Sequence, residues 1–399
     1  MPFFYRFAVR RLWLYAGLLS GLAGAGASLS GCKQHNTPDL TPVTQPASGS
    51  VTPPVAVSIT APLLYAASFD GNLYALDTLT GQPRWTFRAD TAIRSSPVIA
   101  YGLVFFGSNG QYVYAVDAET GKQRWRFKSG TYVYASPTVV DGRVFVGSID
   151  KVFYALDAMT GRQLWSYKAA YGFYSSPAVA NGLVYVGGLD GNLYAFTADR
   201  GALKWMTKTN DYILSSPVVV GGLVYIGSSD KKCYAVDALT GQPRWVVQAG
   251  SAIEASPVVA GSVLYLAAVD GTVYALDAAT GQQRWAVKPG GGVNGSPVVA
   301  IGTVYIGSRD HALYAVSATT GAVQWTYKTQ YDLYGTPFVT GQTVYVGSND
   351  GRVYAINRVT KQARWSFQTG GVVVSSPVAA QKEVAVGTYP GVSGAGKSY

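Results

Sequence analysis

Ala75-Leu76-Asp77-Thr78-Leu79-Thr80-Gly81-Gln82-Pro83-Arg84-Trp85 is a stretch the chain writes repeatedly. Its closing tryptophan returns as Trp125, Trp165, Trp205, Trp245, Trp285, Trp325 and Trp365, a step of 40 residues with no insertion. Prolines at 97, 137, 177, 217, 257, 297, 337 and 377 keep the same step, as do the alanines of the Ala75 series and the tyrosines of the Tyr74 series. One unit reads as four short strands, Pro217 to Val220, Leu223 to Gly227, Cys233 to Asp237 and Arg244 to Gln248, separated by turn residues such as Gly221-Gly222. A repeat of about 40 to 45 residues with four strands per unit is the signature of a β-propeller. The expectation is an all-β, eight-bladed β-propeller of four-stranded antiparallel blades over residues 63–388, followed by a flexible tail at 389–399. Such a ring must close, and the expected closing strand lies in Ser375 to Thr388, with Val55 to Ile59 as the competitor.

Composition agrees. The chain has 399 residues, of which 13% are charged against a usual ~25%. Its 47 Gly, 29 Tyr and 9 Trp are turn formers and β formers rather than helix formers. An apolar content of 48% is enough to build a core, which excludes disorder. With 2 Cys and 2 His, His35 and His311 being far apart, a Cys/His zinc site is excluded and a Ser-His-Asp triad is a poor prospect.

The first residues read as an address. Arg6, Arg10 and Arg11 precede an apolar run from Leu12 to Leu29, the two parts of an export signal. The run ends in Leu29-Ser30-Gly31-Cys32, which resembles a bacterial lipobox, so residues 1–31 are expected to be a lipoprotein signal peptide and Cys32 the lipidated mature N-terminus. An uncleaved membrane anchor is the alternative, because 18 apolar residues lie at the lower limit for a span. Residues 32–62 form a Pro/Thr/Ser-rich linker that stays extended and solvated. Either way the body is expected outside the cytoplasm and tethered to the bacterial cell envelope; Lys33 in place of an Asp leans toward the outer membrane where there is one.

The quoted stretch matches A-x-D-x-x-T-G-x-x-x-W, and so resembles the tryptophan-docking motif of the quinoprotein (pyrroloquinoline quinone, PQQ) repeat family. The resemblance implies that each indole stacks on the neighbouring blade over small residues. Asp lapses to Thr197, Ser317 and Asn357, and Gly lapses to Lys361, so weaker packing is expected there. The superfamily contains dehydrogenases that hold PQQ and Ca²⁺ in the funnel, and non-catalytic envelope propellers such as the BamB-type lipoprotein of outer-membrane β-barrel assembly. The chain is shorter than the enzymes, has no insertions between blades, and lacks their adjacent cysteine pair. It looks like the scaffold branch, with no enzyme activity, no bound cofactor or metal, and a monomeric propeller working within a complex of envelope proteins.

In a repeat, the positions that differ are free to specialise. The residue three before each proline differs most: Arg94, Tyr134, Tyr174, Leu214, Glu254, Asn294, Tyr334 and Val374 are expected to ring the funnel mouth. Tyr132, Tyr171, Phe173, Tyr212 and Tyr331 fall in the same segments, and with Tyr134, Tyr174 and Tyr334 form a candidate partner surface or, equally, a plug of the channel. Glu254, Asn294, Asp332 and Arg94 are the residues that would serve the alternative, a PQQ- and calcium-binding dehydrogenase or sensor. A third reading is a cell-wall or polysaccharide binder.

A formal net charge of +10 raises the question of nucleic acid. Many cations recur in two slots of the outermost strand, beside the tryptophan as Arg84 and three residues after it as Arg88, where they guard edge strands against aggregation; no nucleic-acid partner is expected. Cys233 reads as an apolar filler and His311 as an exposed turn residue.

Overall fold

The computed structural model describes residues 62–379, which form eight four-stranded antiparallel sheets joined by turns. In blade 2 the strands run from inner to outer in chain order: Val98–Ala100, Leu103–Gly107, Tyr112–Asp117 and Gln123–Lys128. Blades 3 to 8 repeat that order. The second strands are almost wholly buried because both faces of a blade pack on neighbours, so they read as continuous apolar runs rather than as alternation. Only the outermost strand alternates, with Trp and Phe turned inward between exposed Arg and Lys.

Blade 1 is assembled from both ends of the described chain. Leu63–Ala67, Asn72–Asp77 and Pro83–Arg88 supply three strands, and Val378–Ala379 supplies the innermost, pairing Leu64 with Ala379 and Tyr65 with Val378. The C-terminal strand therefore closes the ring. The competing segment Val55 to Ile59 lies outside the described residues, as do the leader, Cys32, nearly all of the linker and the tail.

The tryptophans hold blade to blade. Trp85 Nε1 donates to the Ala118 carbonyl of the next blade at 3.1 Å, and Trp365 closes the circle onto the Thr78 carbonyl at 3.0 Å. The receiving glycine lets the indole approach: a Cβ on Gly121, whose φ is +70°, would come within 2.7 Å of the Trp85 ring. Across its own sheet each tryptophan faces a buried alanine, as Trp85 faces Ala75. The motif aspartate shapes the turn: Asp237 Oδ1 accepts from the Leu239 and Thr240 N–H groups, and Oδ2 meets Arg244 at 2.8 Å. The Arg244 hydrogen bond, helped by those turn donors, lowers the Asp237 pKa to about 2. The repeating arginine thus also has a partner within its own turn, in addition to guarding an edge.

Where the motif lapses, the turn partly survives. Asn357 Oδ1 still accepts from Val359 and Thr360 N–H, and Ser317 Oγ from Thr320 N–H. Lys361 takes the glycine's left-handed conformation at φ 64°, at the position where sister blades receive the indole on a glycine that leaves no room for a Cβ. The facing Trp325 lacks the indole-to-carbonyl bond that the other seven make among the described residues.

A second series, not singled out by the motif, shares the work. Tyr65, Tyr185, Tyr225 and Tyr265 each send a hydroxyl to the same carbonyl that the blade's indole uses, Tyr65 to Ala118 at 2.8 Å, with the Tyr65 and Trp85 rings 5.7 Å apart. Phe105 and Phe145 hold that place in blades 2 and 3 without the hydroxyl.

Three substitutions test this account by equilibrium denaturation. Trp365→Ala is expected to cost about 3 kcal/mol, and Trp325→Ala about 1 kcal/mol less because no indole hydrogen bond is lost. Lys361→Gly is expected to stabilise by roughly 1 kcal/mol, through relief of a left-handed non-glycine residue.

Candidate functional site: the channel mouth and its rim

Each outermost strand hands over to the next blade's inner strand across one face of the ring, and three residues of that connection have different fates. The first is core. Ile93, Val133, Ile213, Ile253, Val293, Leu333 and Val373 are buried, and so is Phe173 at 0% exposure, packed against Gly147, Phe153 and Tyr194. Phe173 is therefore corrected from partner surface to core: it is the aromatic member of an aliphatic series, and a core position accepts any apolar side chain that fills it.

The second residue forms the expected variable ring. Arg94 lies over the Tyr134 ring at 4.5 Å and over Phe69 at 5.5 Å, while Tyr134 meets Tyr174 at 5.5 Å and stacks on Tyr132 at 5.6 Å. Tyr174 is buried, so it too serves the ring rather than an open surface, and Tyr134 and Tyr334 are half-buried. Glu254 and Asn294 are buried beside Leu214 and Val374 in the same series. Asp332 is not of that series. It sits on the rim, 3.1 Å from His311 Nε2 and 4.0 Å from Arg309 Nε. Glu254, Asn294 and Asp332 are thus split between two levels, and among the described residues no three His, Cys, Asp or Glu side chains gather as a metal-binding group. This does not fit the 6 to 8 oxygens that Ca²⁺ takes.

The residue just before each proline makes a structure that composition and motif did not announce. Ser96 N–H donates to Ser136 Oγ at 2.9 Å, Ser136 to Ser176 at 3.0 Å, and the pattern passes through Ser216, Ser256, Ser296 and Thr336. Thr336 then donates to Ser376 and Ser376 back to Ser96 at 2.9 Å, so a closed belt of eight buried hydroxyls joins the blades around the axis. Its signal was available, a hydroxyl residue preceding all eight prolines of the 40-residue series.

The aspartates of the neighbouring loops are also part of the scaffold. Asp150 accepts from Val152 N–H at 2.8 Å, Tyr154 Oη at 2.7 Å and Gly130 N–H at 2.6 Å, bracing its loop against the preceding connection. Tyr74, Tyr194, Tyr234, Tyr314 and Tyr354 pair likewise with their loop aspartates. Blade 2 has Gly110 instead, and Asp90 fills the gap: a Cβ on Gly110 would collide with the Asp90 carboxylate, which accepts from Ser108 Oγ at 2.7 Å.

What remains open on this face is a set of tyrosines. Tyr132, Tyr171, Tyr212 and Tyr331 are 45%, 58%, 49% and 59% exposed. Three of them lie on consecutive connections, between blades 2 and 3, 3 and 4, and 4 and 5, where sister connections carry Ser251-Ala252 or Gly291-Gly292. The rim is therefore aromatic along one arc and small along another. Tyr331 lies 5.9 Å from the His311 ring.

A closed ring of docked four-stranded blades whose mouth is lined by unlike residues defines a PQQ-like propeller with a variable central face. The family model described as "Outer membrane protein assembly factor BamB" matches residues 39–131, 70–173, 169–285 and 269–395, and the chain belongs to that family. No curated protein matches the chain. Among solved structures, BamB from Moraxella catarrhalis is similar at 20% identity and TM-score 0.64, covering 71% of this chain and 90% of that one. The computationally designed Ika8 protein is similar at 18% identity and TM-score 0.68, covering 75% and 96%. Quinohemoprotein alcohol dehydrogenase from Comamonas testosteroni is similar at 17% identity and TM-score 0.62, covering 71% and 68%. These likenesses establish the fold, which a scaffold and an oxidoreductase share.

The buried tyrosines set the alkaline limit of this architecture. Burial, reinforced by the Asp310 hydrogen bond, pushes the Tyr314 phenol up to about 12, and burial does the same to Tyr185 and Tyr225. In the unfolded chain these phenols ionise near 10, so the folded state binds more protons above that pH. Stability is expected to be fully present below pH ~10 and to fall steadily between ~10 and ~12, read as a falling denaturation midpoint across that window.

Proposed function

We propose that this protein is a non-catalytic, lipid-anchored scaffold of the bacterial cell envelope that holds partner proteins on the tyrosine arc of its channel mouth. The carrying observation is the asymmetric rim: Tyr132, Tyr171 and Tyr212 stand exposed on three consecutive connections, whereas the connections at Thr91-Ala92, Ser251-Ala252, Gly291-Gly292 and Gly371-Val372 carry no aromatic side chain there and only Tyr331 among the other described connections does. Exposed tyrosine gives a large, rigid contact area at low entropic cost, which suits a protein interface. Membership in a family described by outer-membrane protein assembly supports the class of partner and the compartment. The lipobox-like Leu29-Ser30-Gly31-Cys32 and the linker supply the anchor in this reading.

The second reading, a PQQ-dependent dehydrogenase or sensor, draws on the shared fold and on the buried Glu254 and Asn294. Calorimetric titration of the full protein with PQQ, with and without Ca²⁺, decides between them. No binding heat is expected; saturable binding abolished by Glu254→Gln would replace the scaffold by the quinoprotein.

For the scaffold itself, Tyr171→Ala combined with Tyr212→Ala is the sharper test than any change at the buried Tyr174. Capture of envelope proteins by crosslinking is expected to fall at least ~10-fold, with stability changed by less than ~0.5 kcal/mol because neither ring is in the core. Undiminished capture would reject the arc as the interface, and retention on purified cell wall that salt weakens would favour a wall polymer instead.

A further inference from the structure

The face opposite the channel mouth carries apolar side chains that the fold does not use. Strand direction puts the docking turns of all eight blades on that face, and the second residue after the motif aspartate stands at each tip. Its N–H serves the turn, as Leu79 N–H donates to Asp77 Oδ1 at 3.0 Å, while its side chain leaves the surface. Leu79, Met159, Leu239 and Val359 are 78%, 58%, 70% and 59% exposed at these tips, and Ile301, on a shorter turn of the same face, is 68% exposed. Glu119, Asp199 and Thr319 occupy the same position in sister blades, so the turn has no need of an apolar residue there. Lys122, Arg162, Arg358 and Lys361 stand beside the tips.

The chain enters the propeller on this face. The Pro62 carbonyl accepts from Thr78 N–H at 3.2 Å and Thr78 Oγ1 at 3.1 Å, one residue from the Leu79 tip. The sequence before it leads through the linker to Cys32 and the apolar run Leu12 to Leu29. A tether of this length keeps the tips close to any bilayer that takes up the anchor, at an effective concentration of order mM. Scattered apolar tips interspersed with lysine and arginine are the composition of a surface that sits in the headgroup layer of an anionic membrane.

We infer that the turn-tip face of the propeller rests on the lipid bilayer to which the chain is anchored, with Leu79, Met159, Leu239 and Val359 inserted at the headgroup boundary. The inference rests on the anchored-scaffold reading, and it orients that scaffold: the tyrosine arc then faces away from the membrane. Acyl anchoring and tip contact act together, in the manner of two weak membrane signals that bind stably only in combination.

The test uses the full acylated chain in vesicles of phosphatidylethanolamine and phosphatidylglycerol carrying bromine on their acyl chains. A bimane is attached at Leu79→Cys, at Leu239→Cys, or at Ser251→Cys on the opposite face; Cys233 is buried and does not compete for the label. The tip labels are expected to be quenched about twofold more than the label at 251. Leu79→Gln with Leu239→Gln should relieve the quenching of a label placed at Met159→Cys. Chain retained on the vesicles with tips quenched no more than position 251 overturns this inference and leaves the scaffold reading intact. Tips that crosslink to a protein and stay unquenched overturn it in favour of a protein partner on this face, and a chain washed off the vesicles by salt overturns both readings.

Discussion

Every blade of this ring depends on an indole reaching into its neighbour. A four-stranded sheet buries neither of its faces alone, so eight of them are stable only if each covers the next, and the Trp85 type of contact fixes how they meet. Three constraints act at one point: the ring needs a flat receiving surface, the N–H needs a carbonyl, and the approach leaves no room for a Cβ. Gly121, the Ala118 carbonyl and the Tyr65 hydroxyl on that same carbonyl satisfy them together. The belt of Ser and Thr hydroxyls performs the same service at the axis, so blades are tied at both radii.

The closure of the ring explains why blade 1 is shared between the two ends of the described chain. A propeller closed by one continuous terminal blade would join its ends only through side chains. Here backbone pairing of Leu64 and Tyr65 with Ala379 and Val378, the Ser376 to Ser96 bond, and the Trp365 dock onto blade 1 all cross the seam. Opening the seam therefore breaks several kinds of contact at once, which is a source of cooperativity in an otherwise nearest-neighbour structure.

Function is separated from this scaffold by position. Residues that recur, the tryptophans, the loop aspartates and the pre-proline hydroxyls, are consumed in holding blades, while residues that vary face the channel mouth or the turn tips. Repetition made this separation visible, and it also misled where a variable residue serves a constant purpose. Phe173 differs in type from Val133 and Ile213 yet fills the same core site, whereas Tyr171, two residues earlier, is open to solvent. Asp90 shows the converse, a carboxylate in the place that Gly110 vacated, reached from a different position in the chain.

What the sequence by itself determined is the architecture: blade number, strand order and the docking pairs, while the choice between its two candidate closing strands was made by the pairing of Val378–Ala379 with Leu64 and Tyr65. These follow from a period of 40 residues, and from local turn chemistry that needs only neighbours in the chain. Only the tertiary structure decided which side chains of the connections are accessible. Successive residues there alternate among core, axis and rim according to the path of a loop between two blades, and the contacts that fix that path, such as Asp150 with Gly130 or Asp332 with His311, join residues about 20 apart. Burial at such a point is set by three-dimensional neighbours, so the tyrosines that are buried at the channel mouth and those that stand open on its rim are distinguishable only once the ring is closed.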